Sequence, residues 1–133
     1  MIVEDQAILS MELELVLTEA GHEVVGCAMD LAGAVTLSGR AQPEVALVDI
    51  NLLDGQTGPD VAKVLIGSYG TTVIFLTANL EQVPRNMEGV LGSIAKPFDE
   101  RTILESVSFA ANYRASGRVK DVPRQFRLSA NLQ

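Results

Sequence analysis

The chain has 133 residues, of which 47 % are hydrophobic and 20 % are charged. This length fits one compact domain, and the composition indicates a buried core rather than a disordered chain. A single cysteine, Cys27, and a single histidine, His22, exclude an intrachain disulfide and a His/Cys zinc cluster. The apolar runs are too short to span a membrane, and Glu4 and Asp5 stand where a leader peptide would need apolar residues. We therefore expect a cytoplasmic protein with no signal peptide and no membrane contact.

Charge is unevenly distributed along the chain, whose formal net charge is −7. Residues 1–113 hold five basic and sixteen acidic side chains, or −11, whereas residues 114–133 hold five basic and one acidic, or +4. The acidic part is expected to repel a phosphate backbone, so we predict no direct DNA binding. We divide the chain into a domain at 1–113 and a basic C-terminal tail or linker at 114–133. Such a tail is more often a solvated end than a contact for an anionic partner.

Apolar periodicity, capping residues and turn residues predict that strands and helices alternate along the chain. In chain order, the predicted segments are a strand at 1–4, a helix at 6–20, a strand at 23–28, a helix at 31–39, a strand at 44–48, a helix at 59–68, a strand at 72–76, a weak strand at 91–95 and a helix at 99–113. Residues 79–89 are ambiguous because Pro84 interrupts a short helical pattern. We expect a fourth helix there that is short or distorted.

This alternation of strands and helices predicts right-handed βαβ units and a parallel sheet. The strands at 44–48 and 72–76 are continuously apolar, which suits a sheet that is covered on both faces. The predicted fold is therefore α/β and flavodoxin-like. It is a doubly wound (βα)5 domain with a five-stranded parallel sheet in the order 2-1-3-4-5.

Polar side chains follow four of the predicted strands at the point where each strand ends. Glu4 and Asp5 follow the first strand and Asp49 the third, while Thr77 and Lys96 follow the fourth and the fifth. In an open parallel sheet these ends form one edge, and ligands bind there. Each residue alone is more often a turn, cap or surface residue, but their coincidence at one edge indicates a site.

The three carboxylates at this edge predict a site for a hard divalent cation. Crowded carboxylates repel one another, and such cations prefer oxygen ligands. We expect Mg²⁺, or Mn²⁺ in its place. Asp5 and Asp49 are the predicted direct ligands, Glu4 binds directly or through water, and the backbone carbonyl of Asn51 completes the set.

An aspartate at a strand end can also act as a nucleophile toward phosphorus, which gives Asp49 a second predicted role. The product of that attack is an acyl phosphate. The metal, the Lys96 ammonium and the Thr77 hydroxyl would hold the phosphoryl oxygens. Catalytic roles are therefore predicted for Asp49, Thr77 and Lys96.

Four sequence segments resemble a known family. They are IVEDQ at 2–6, ALVDINLLDG at 46–55, IFLTAN at 74–79 and AKPF at 95–98. Together with the helix spacing, they make residues 1–113 similar to a response-regulator receiver domain of two-component signalling, in the CheY-like superfamily. The resemblance implies an acidic pair, a phosphoacceptor, a switch hydroxyl and a lysine, which are Glu4 and Asp5, Asp49, Thr77 and Lys96 respectively.

The same resemblance implies cofactors and partners. Mg²⁺ would be needed for phosphorylation and dephosphorylation, and the donor would be a phosphohistidine on a sensor histidine kinase or a histidine phosphotransfer protein. Output would pass to an unknown downstream protein, with homodimerisation left open. The chain would be a stand-alone receiver or a fragment of a longer regulator. No enzyme activity is expected beyond Mg²⁺-dependent phosphorylation of the chain itself and its dephosphorylation.

Two departures from the family pattern keep alternatives open. Ser93 stands where the family has a switch aromatic, and the stretch from Thr77 to Lys96 is shorter than usual. A degenerate receiver that acts as a phosphorylation-independent scaffold is therefore one alternative.

A haloacid-dehalogenase-type phosphatase is another alternative, because that class also uses an aspartate nucleophile at a strand end. That class needs a second aspartate as general acid, where this chain has Asn51.

Overall fold

The structure is a computed structural model that describes all 133 residues. Its strands are β1 (Ile2–Val3), β2 (Cys27–Ala28), β3 (Val45–Asp49), β4 (Thr72–Thr77), β5 (Val90–Ala95) and β6 (Phe126–Leu128). Its helices are α1 (Ala7–Glu19), α2 (Leu31–Ala41), α3 (Gly58–Tyr69) and α4 (Glu100–Ser116), with single 3-10 turns at Leu80–Gln82 and Ala130–Leu132. No helix combines the length and the hydropathy that crossing a bilayer requires.

All six strands form one sheet in the order β2-β1-β3-β4-β5-β6. The first five pair in parallel, which confirms the flavodoxin-like fold and the predicted order 2-1-3-4-5. The predicted number of five strands is wrong, because β6 adds an antiparallel strand to β5. An edge strand has unpaired backbone N–H and C=O groups, and residues 126–128 satisfy those of β5.

Two apolar cores lie on the two faces of the sheet, because successive strand residues point to opposite sides. On one face Val48 and Phe75 pack under α2 and α3, and on the other Leu47 and Ile74 pack under α1 and α4. All four of these side chains are almost completely buried. Cover on both faces explains why the central strands are continuously apolar.

The helix starts follow the capping residues in the sequence. The Asp30 side chain accepts a hydrogen bond from the Gly33 N–H at 2.8 Å, and Asp99 does the same for Thr102 at 2.8 Å. Pro59 lies in the first turn of α3, where its missing N–H costs no intrahelical bond. These residues set where α2, α3 and α4 begin. The strands β1 and β2 are shorter than predicted.

The connection between β4 and β5 contains no α-helix. The fourth helix, expected to be short or distorted, is only the 3-10 turn Leu80–Gln82. Pro84 follows closely and cannot donate the backbone hydrogen bond that a longer helix would need. Gly89 then lies in the left-handed region at φ 86°, and a Cβ there would overlap the Ile66 side chain. The chain therefore crosses this face mostly in turns.

Part of the segment 114–133 packs against the domain. Helix α4 continues to Ser116, and the chain turns at Gly117, whose φ is 70°. Phe126 is buried against Phe109, with ring centroids 5.3 Å apart in an edge-to-face arrangement. A Cβ on Gly92 would overlap this ring and the neighbouring backbone, so the close approach of β6 requires glycine there. The division of the chain at residue 113 stays a prediction.

Candidate functional site

The residues predicted from strand ends lie at the carboxyl edge of the sheet. Glu4 and Asp5 follow β1, Asp49 is the last residue of β3, Thr77 is the last residue of β4, and Lys96 follows β5. Glu4, Asp49 and Thr77 are buried, whereas Asp5 and Lys96 are half-buried. The parallel topology thus brings together groups that are distant in sequence.

One ammonium group joins two buried carboxylates at this edge. Lys96 Nζ lies 2.7 Å from Glu4 Oε1 and 2.6 Å from Asp49 Oδ2. The exposed fractions of the three side chains are 17 % for Lys96, 0 % for Glu4 and 7 % for Asp49. Lys96 therefore neutralises part of a negative charge that would otherwise be uncompensated in a poorly solvated place.

The pKa values of Glu4 and Lys96 are both raised, but for different reasons. Burial raises the pKa of the Glu4 carboxyl to about 7, against the hydrogen bonds that it accepts from Lys96 and from the Gln6 N–H. Burial also acts to lower the pKa of Lys96, but its hydrogen bonds to Asp49 and Glu4 outweigh this effect and raise that pKa. Lys96 is therefore an ammonium at neutral pH, while Glu4 takes up a proton near neutrality.

The carboxylates of Glu4, Asp5 and Asp49 form a compact oxygen cluster. One oxygen from each lies within 4.8 Å of the other two. Such a set fits a hard divalent cation, for which closely spaced carboxylate oxygens are the preferred protein ligands. These three residues could therefore hold Mg²⁺ or Mn²⁺.

Asp49 is held by the loop that follows it. The Asn51 N–H donates a hydrogen bond to Asp49 Oδ1 at 3.0 Å, so each carboxylate oxygen of Asp49 has its own donor. The loop returns at Gly58, whose N–H donates to the Ile50 carbonyl at 3.0 Å. A Cβ on Gly58 would overlap the Asp49 and Ile50 backbone. Sequence reasoning did not identify Gly58, and its position just before Pro59 was the available signal.

The Thr77 hydroxyl forms hydrogen bonds within a local turn and none with Asp49. Thr77 Oγ1 donates to the Asn79 carbonyl and accepts from the Asn79 N–H, both at 3.0 Å. The Thr77 carbonyl accepts a hydrogen bond of 2.7 Å from the Lys96 N–H, which sets the two strand ends side by side. Lys96 is followed by a cis peptide bond to Pro97. The structure thus places Thr77 at the edge but engages its hydroxyl elsewhere.

A hydrogen bond between two side chains connects the loop after β3 to the β4–β5 connection. Asn51 Nδ2 donates a hydrogen bond of 3.0 Å to Gln82 Oε1 in the 3-10 turn. No pattern in the sequence predicts a role for Gln82, because the contact depends on how the β4–β5 connection folds. The position expected for a switch aromatic, Ser93, is buried in β5 and pairs with Arg127 of β6.

Comparison with known proteins identifies the family. Residues 1–108 match the model of the response regulator receiver domain. The chain is 32 % identical over 125 residues to the phyllosphere-induced regulator PhyR of Methylorubrum extorquens, covering 91 % of this chain and 46 % of that protein. It is 28 % identical over 115 residues to the transcriptional regulatory protein PdtaR of Mycobacterium tuberculosis, covering 84 % and 56 %. The chain spans about half the length of these curated relatives.

Solved structures show the same architecture. The receiver domain of PhyR from Erythrobacter litoralis superposes with a TM-score of 0.74 at 29 % identity, over 92 % of this chain and 91 % of that one. The anti-anti-sigma factor PhyR of Bartonella quintana gives a TM-score of 0.76 at 28 % identity, over 87 % and 48 %. A CheY-like receiver domain protein from Methanospirillum hungatei gives 0.70 at 26 % identity, over 86 % and 95 %. The chain belongs to the response-regulator receiver domain family of two-component signalling.

Proposed function

We propose that this chain is a phosphoacceptor, which takes a phosphoryl group onto Asp49 and thereby switches its contacts with other proteins. The observation that carries the proposal is the environment of Asp49. This buried carboxylate ends a central strand, has a hydrogen-bond donor on each oxygen, and lies within a cluster of three carboxylates. Such a group is placed to act as a nucleophile beside a cation.

The proposed transfer forms one bond and breaks one. A carboxylate oxygen of Asp49 attacks phosphorus, and the bond from phosphorus to the donor breaks. The electron pair leaves with the imidazole nitrogen of a phosphohistidine or, for acetyl phosphate, with acetate. In hydrolysis, water attacks phosphorus, releases inorganic phosphate and restores the carboxylate. The chain would perform no turnover beyond these two reactions of its own side chain.

Side chains around Asp49 have distinct proposed roles. Glu4, Asp5, Asp49 and the Asn51 carbonyl would hold Mg²⁺ or Mn²⁺, which when bound supplies positive charge for the phosphoryl oxygens. Lys96 bridges two carboxylates, and its Nζ would turn to a phosphoryl oxygen once Asp49 is phosphorylated. The Thr77 hydroxyl would have to leave Asn79 to do the same. Phosphorylation would thus shift a population between two arrangements of the same side chains.

The proposed partners follow from the family. A sensor histidine kinase or a histidine phosphotransfer protein would supply the phosphoryl group, and a downstream protein would read it. One structural relative is the anti-anti-sigma factor PhyR of Bartonella quintana. We extend to this chain only output through a protein partner, without direct DNA binding, and homodimerisation stays open.

A phosphorylation-independent scaffold is the second candidate function. Two observations favour it: Ser93 has no ring to couple with Thr77, and the Thr77 hydroxyl is already engaged with Asn79. In that case the domain would bind its partner in one state, and Lys96 would keep the acidic site neutralised for stability alone.

Intact mass after incubation with Mg²⁺ and acetyl phosphate distinguishes the two functions. The parent protein should gain one labile phosphoryl group, and Asp49→Asn should gain none. Asp54→Asn is the matched control, because Asp54 lies in the same loop but is exposed and outside the carboxylate cluster. It should be labelled like the parent protein. A folded parent that binds Mg²⁺ but takes no phosphoryl group would contradict the phosphoacceptor and favour the scaffold.

A further inference from the structure

The β4–β5 connection touches the acidic edge through one pair of side chains. Asn51 Nδ2 donates to Gln82 Oε1 at 3.0 Å, across 31 residues of sequence. Gln82 ends the 3-10 turn that stands where a fourth helix was expected. The hydrogen bond therefore joins the loop after β3 to residues 79–89.

Asn51 is at the same time bound to the proposed phosphoacceptor. Its N–H donates to Asp49 Oδ1 at 3.0 Å, and its carbonyl is a proposed metal ligand. An Asp49 oxygen that turns to a cation, or carries a phosphoryl group, can no longer accept this N–H in the same geometry. The Asn51 N–H and the Asn51 carbonyl belong to the two peptide groups on either side of its Cα. A rotation of either peptide group therefore moves the Asn51 side chain relative to Gln82.

A change at Asp49 could also reach the surface through β5, at the position where the family has a switch aromatic, but this chain has Ser93 there. Ser93 has no ring that could swing inward, is 2 % exposed, and lies opposite Arg127 in the ladder with β6. A change at Asp49 can therefore reach the surface more directly through Asn51 than through β5.

We propose that the Asn51–Gln82 hydrogen bond couples the state of the acidic site to the conformation of residues 79–89. The bond holds this connection in place while the Asn51 N–H is bound to Asp49 Oδ1, and it breaks when Mg²⁺ or a phosphoryl group repositions Asn51. Gln82 is a positioning residue, because it acts through Asn51. The phosphoryl part rests on the proposed function, whereas the magnesium part needs only the carboxylate cluster.

Thermodynamic linkage fixes the direction of the effect. A contact present only in the metal-free state opposes metal binding, so removing it tightens binding by the same factor. Asn51 is exposed and Gln82 is half-buried, so water competes for this hydrogen bond and its net strength lies in the lower part of the usual range. The apparent Mg²⁺ affinity should therefore rise about two- to fivefold. Without the Asn51–Gln82 bond and in the absence of metal, residues 79–89 should also exchange their amide hydrogens faster than in the parent protein.

Gln82→Met is the direct test, since methionine keeps the length of the side chain and removes its hydrogen-bonding amide. Asn86→Ala is the matched control, because it removes an exposed amide of the same segment that makes no side-chain hydrogen bond. Mg²⁺ binding is measured by calorimetry, and hydrogen exchange of residues 79–89 is measured with and without Mg²⁺. The parent protein and Asn86→Ala should show faster exchange on adding Mg²⁺. Gln82→Met should bind Mg²⁺ more tightly and exchange fast in both conditions.

The outcomes separate this inference from the proposed function. If the parent protein takes no phosphoryl group from acetyl phosphate, the phosphoacceptor fails and the Mg²⁺ measurements still decide the coupling. If Gln82→Met binds Mg²⁺ with unchanged affinity and keeps the exchange response of the parent protein, the coupling is refuted while the phosphoacceptor stands. A parent protein whose residues 79–89 respond to neither Mg²⁺ nor acetyl phosphate also refutes it.

Discussion

Replacing Gly92 with alanine tests the packing that attaches the sixth strand to the sheet. A Cβ at this position would overlap the Arg127 carbonyl oxygen and the Phe126 ring. Both belong to β6, so the variant must either distort the β5–β6 pair or release β6 from the edge. The two responses differ in their cost and in what they expose.

The magnitudes favour distortion over release. Forcing an extra methyl group into a packed contact costs about 1–3 kcal/mol. Releasing β6 exposes the Phe126 side chain, now 7 % exposed, at about 1.5–3 kcal/mol, and loses its edge-to-face contact with Phe109 at about 0.5–1.5 kcal/mol more. We therefore expect Gly92→Ala to lower the free energy of unfolding by about 1–3 kcal/mol with β6 still paired.

Urea unfolding followed by circular dichroism measures this loss, and the slope against urea reports whether β6 stays in place. Release would reduce the surface that unfolding exposes and would lower the slope. Hydrogen exchange at Ser129, whose N–H donates to the Leu91 carbonyl at 2.9 Å, should stay slow. Gly67→Ala is the matched control, because Gly67 lies inside α3 with open space at its Cβ position. It should stabilise the protein by up to about 1 kcal/mol.

A Gly92→Ala protein as stable as its parent, with Ser129 still protected, would refute the close packing of β6 on β5. A lower slope together with fast exchange at Ser129 would instead show that release is the easier response. That result would mean that the segment 117–133 is held less firmly than its buried aromatic ring indicates.

Three further predictions concern the site and the added strand. Burial raises the pKa of Glu4 above its unfolded value of 4.5 to about 7, so the stability that it contributes to the metal-free protein is complete below pH 4.5 and is lost as pH rises toward 7. Mg²⁺ must displace that proton, so calorimetry in two buffers of different ionisation enthalpy should detect proton release at a pH close to the Glu4 pKa of about 7, and Glu4→Gln should abolish it. Lys96→Met should lower the free energy of unfolding by up to about 3 kcal/mol at alkaline pH and by less at acidic pH, where Glu4 is protonated; equal losses in urea at both pH values would contradict the ion pair. A double-mutant cycle of Phe109→Leu and Phe126→Leu should give a coupling of about 0.5–1.5 kcal/mol, and additive losses would exclude a specific ring contact.

The position of the site could be predicted because it depends on topology rather than on detail. In a parallel sheet, a residue that follows a strand lies at the carboxyl edge whatever the exact packing. Glu4, Asp49 and Lys96 therefore meet as expected, and the structure adds that Lys96 contacts both carboxylates. The predicted chemical roles of these residues stay predictions until phosphorylation is measured.

The added strand could not be predicted because its signal is tertiary. Three residues, Phe126–Leu128, are too few for a periodic pattern, and the basic side chains around them are typical of a solvated tail. Their position depends on tertiary packing: the Phe126 ring fits beside Phe109 in space that a side chain on Gly92 would fill. The sequence does show a glycine, Gly92, within the weak last strand, and such a glycine often marks a bulge, a tight bend or a close approach of another backbone.

The missing helix has a comparable explanation, which bears on how a signal would leave the site. Where a fourth helix was expected, Val83 and Met87 of the β4–β5 connection pack against the core around Phe75. The connection therefore covers this part of the core with turns alone. Such a segment has few backbone hydrogen bonds of its own and opens at a lower free energy than a packed helix. The loss of one contact near its start, Gln82 with Asn51, can then shift its conformation, whereas a helix would need many contacts to change together. Exchange rates that are uniformly slow across residues 79–89, as in α3, would contradict this argument.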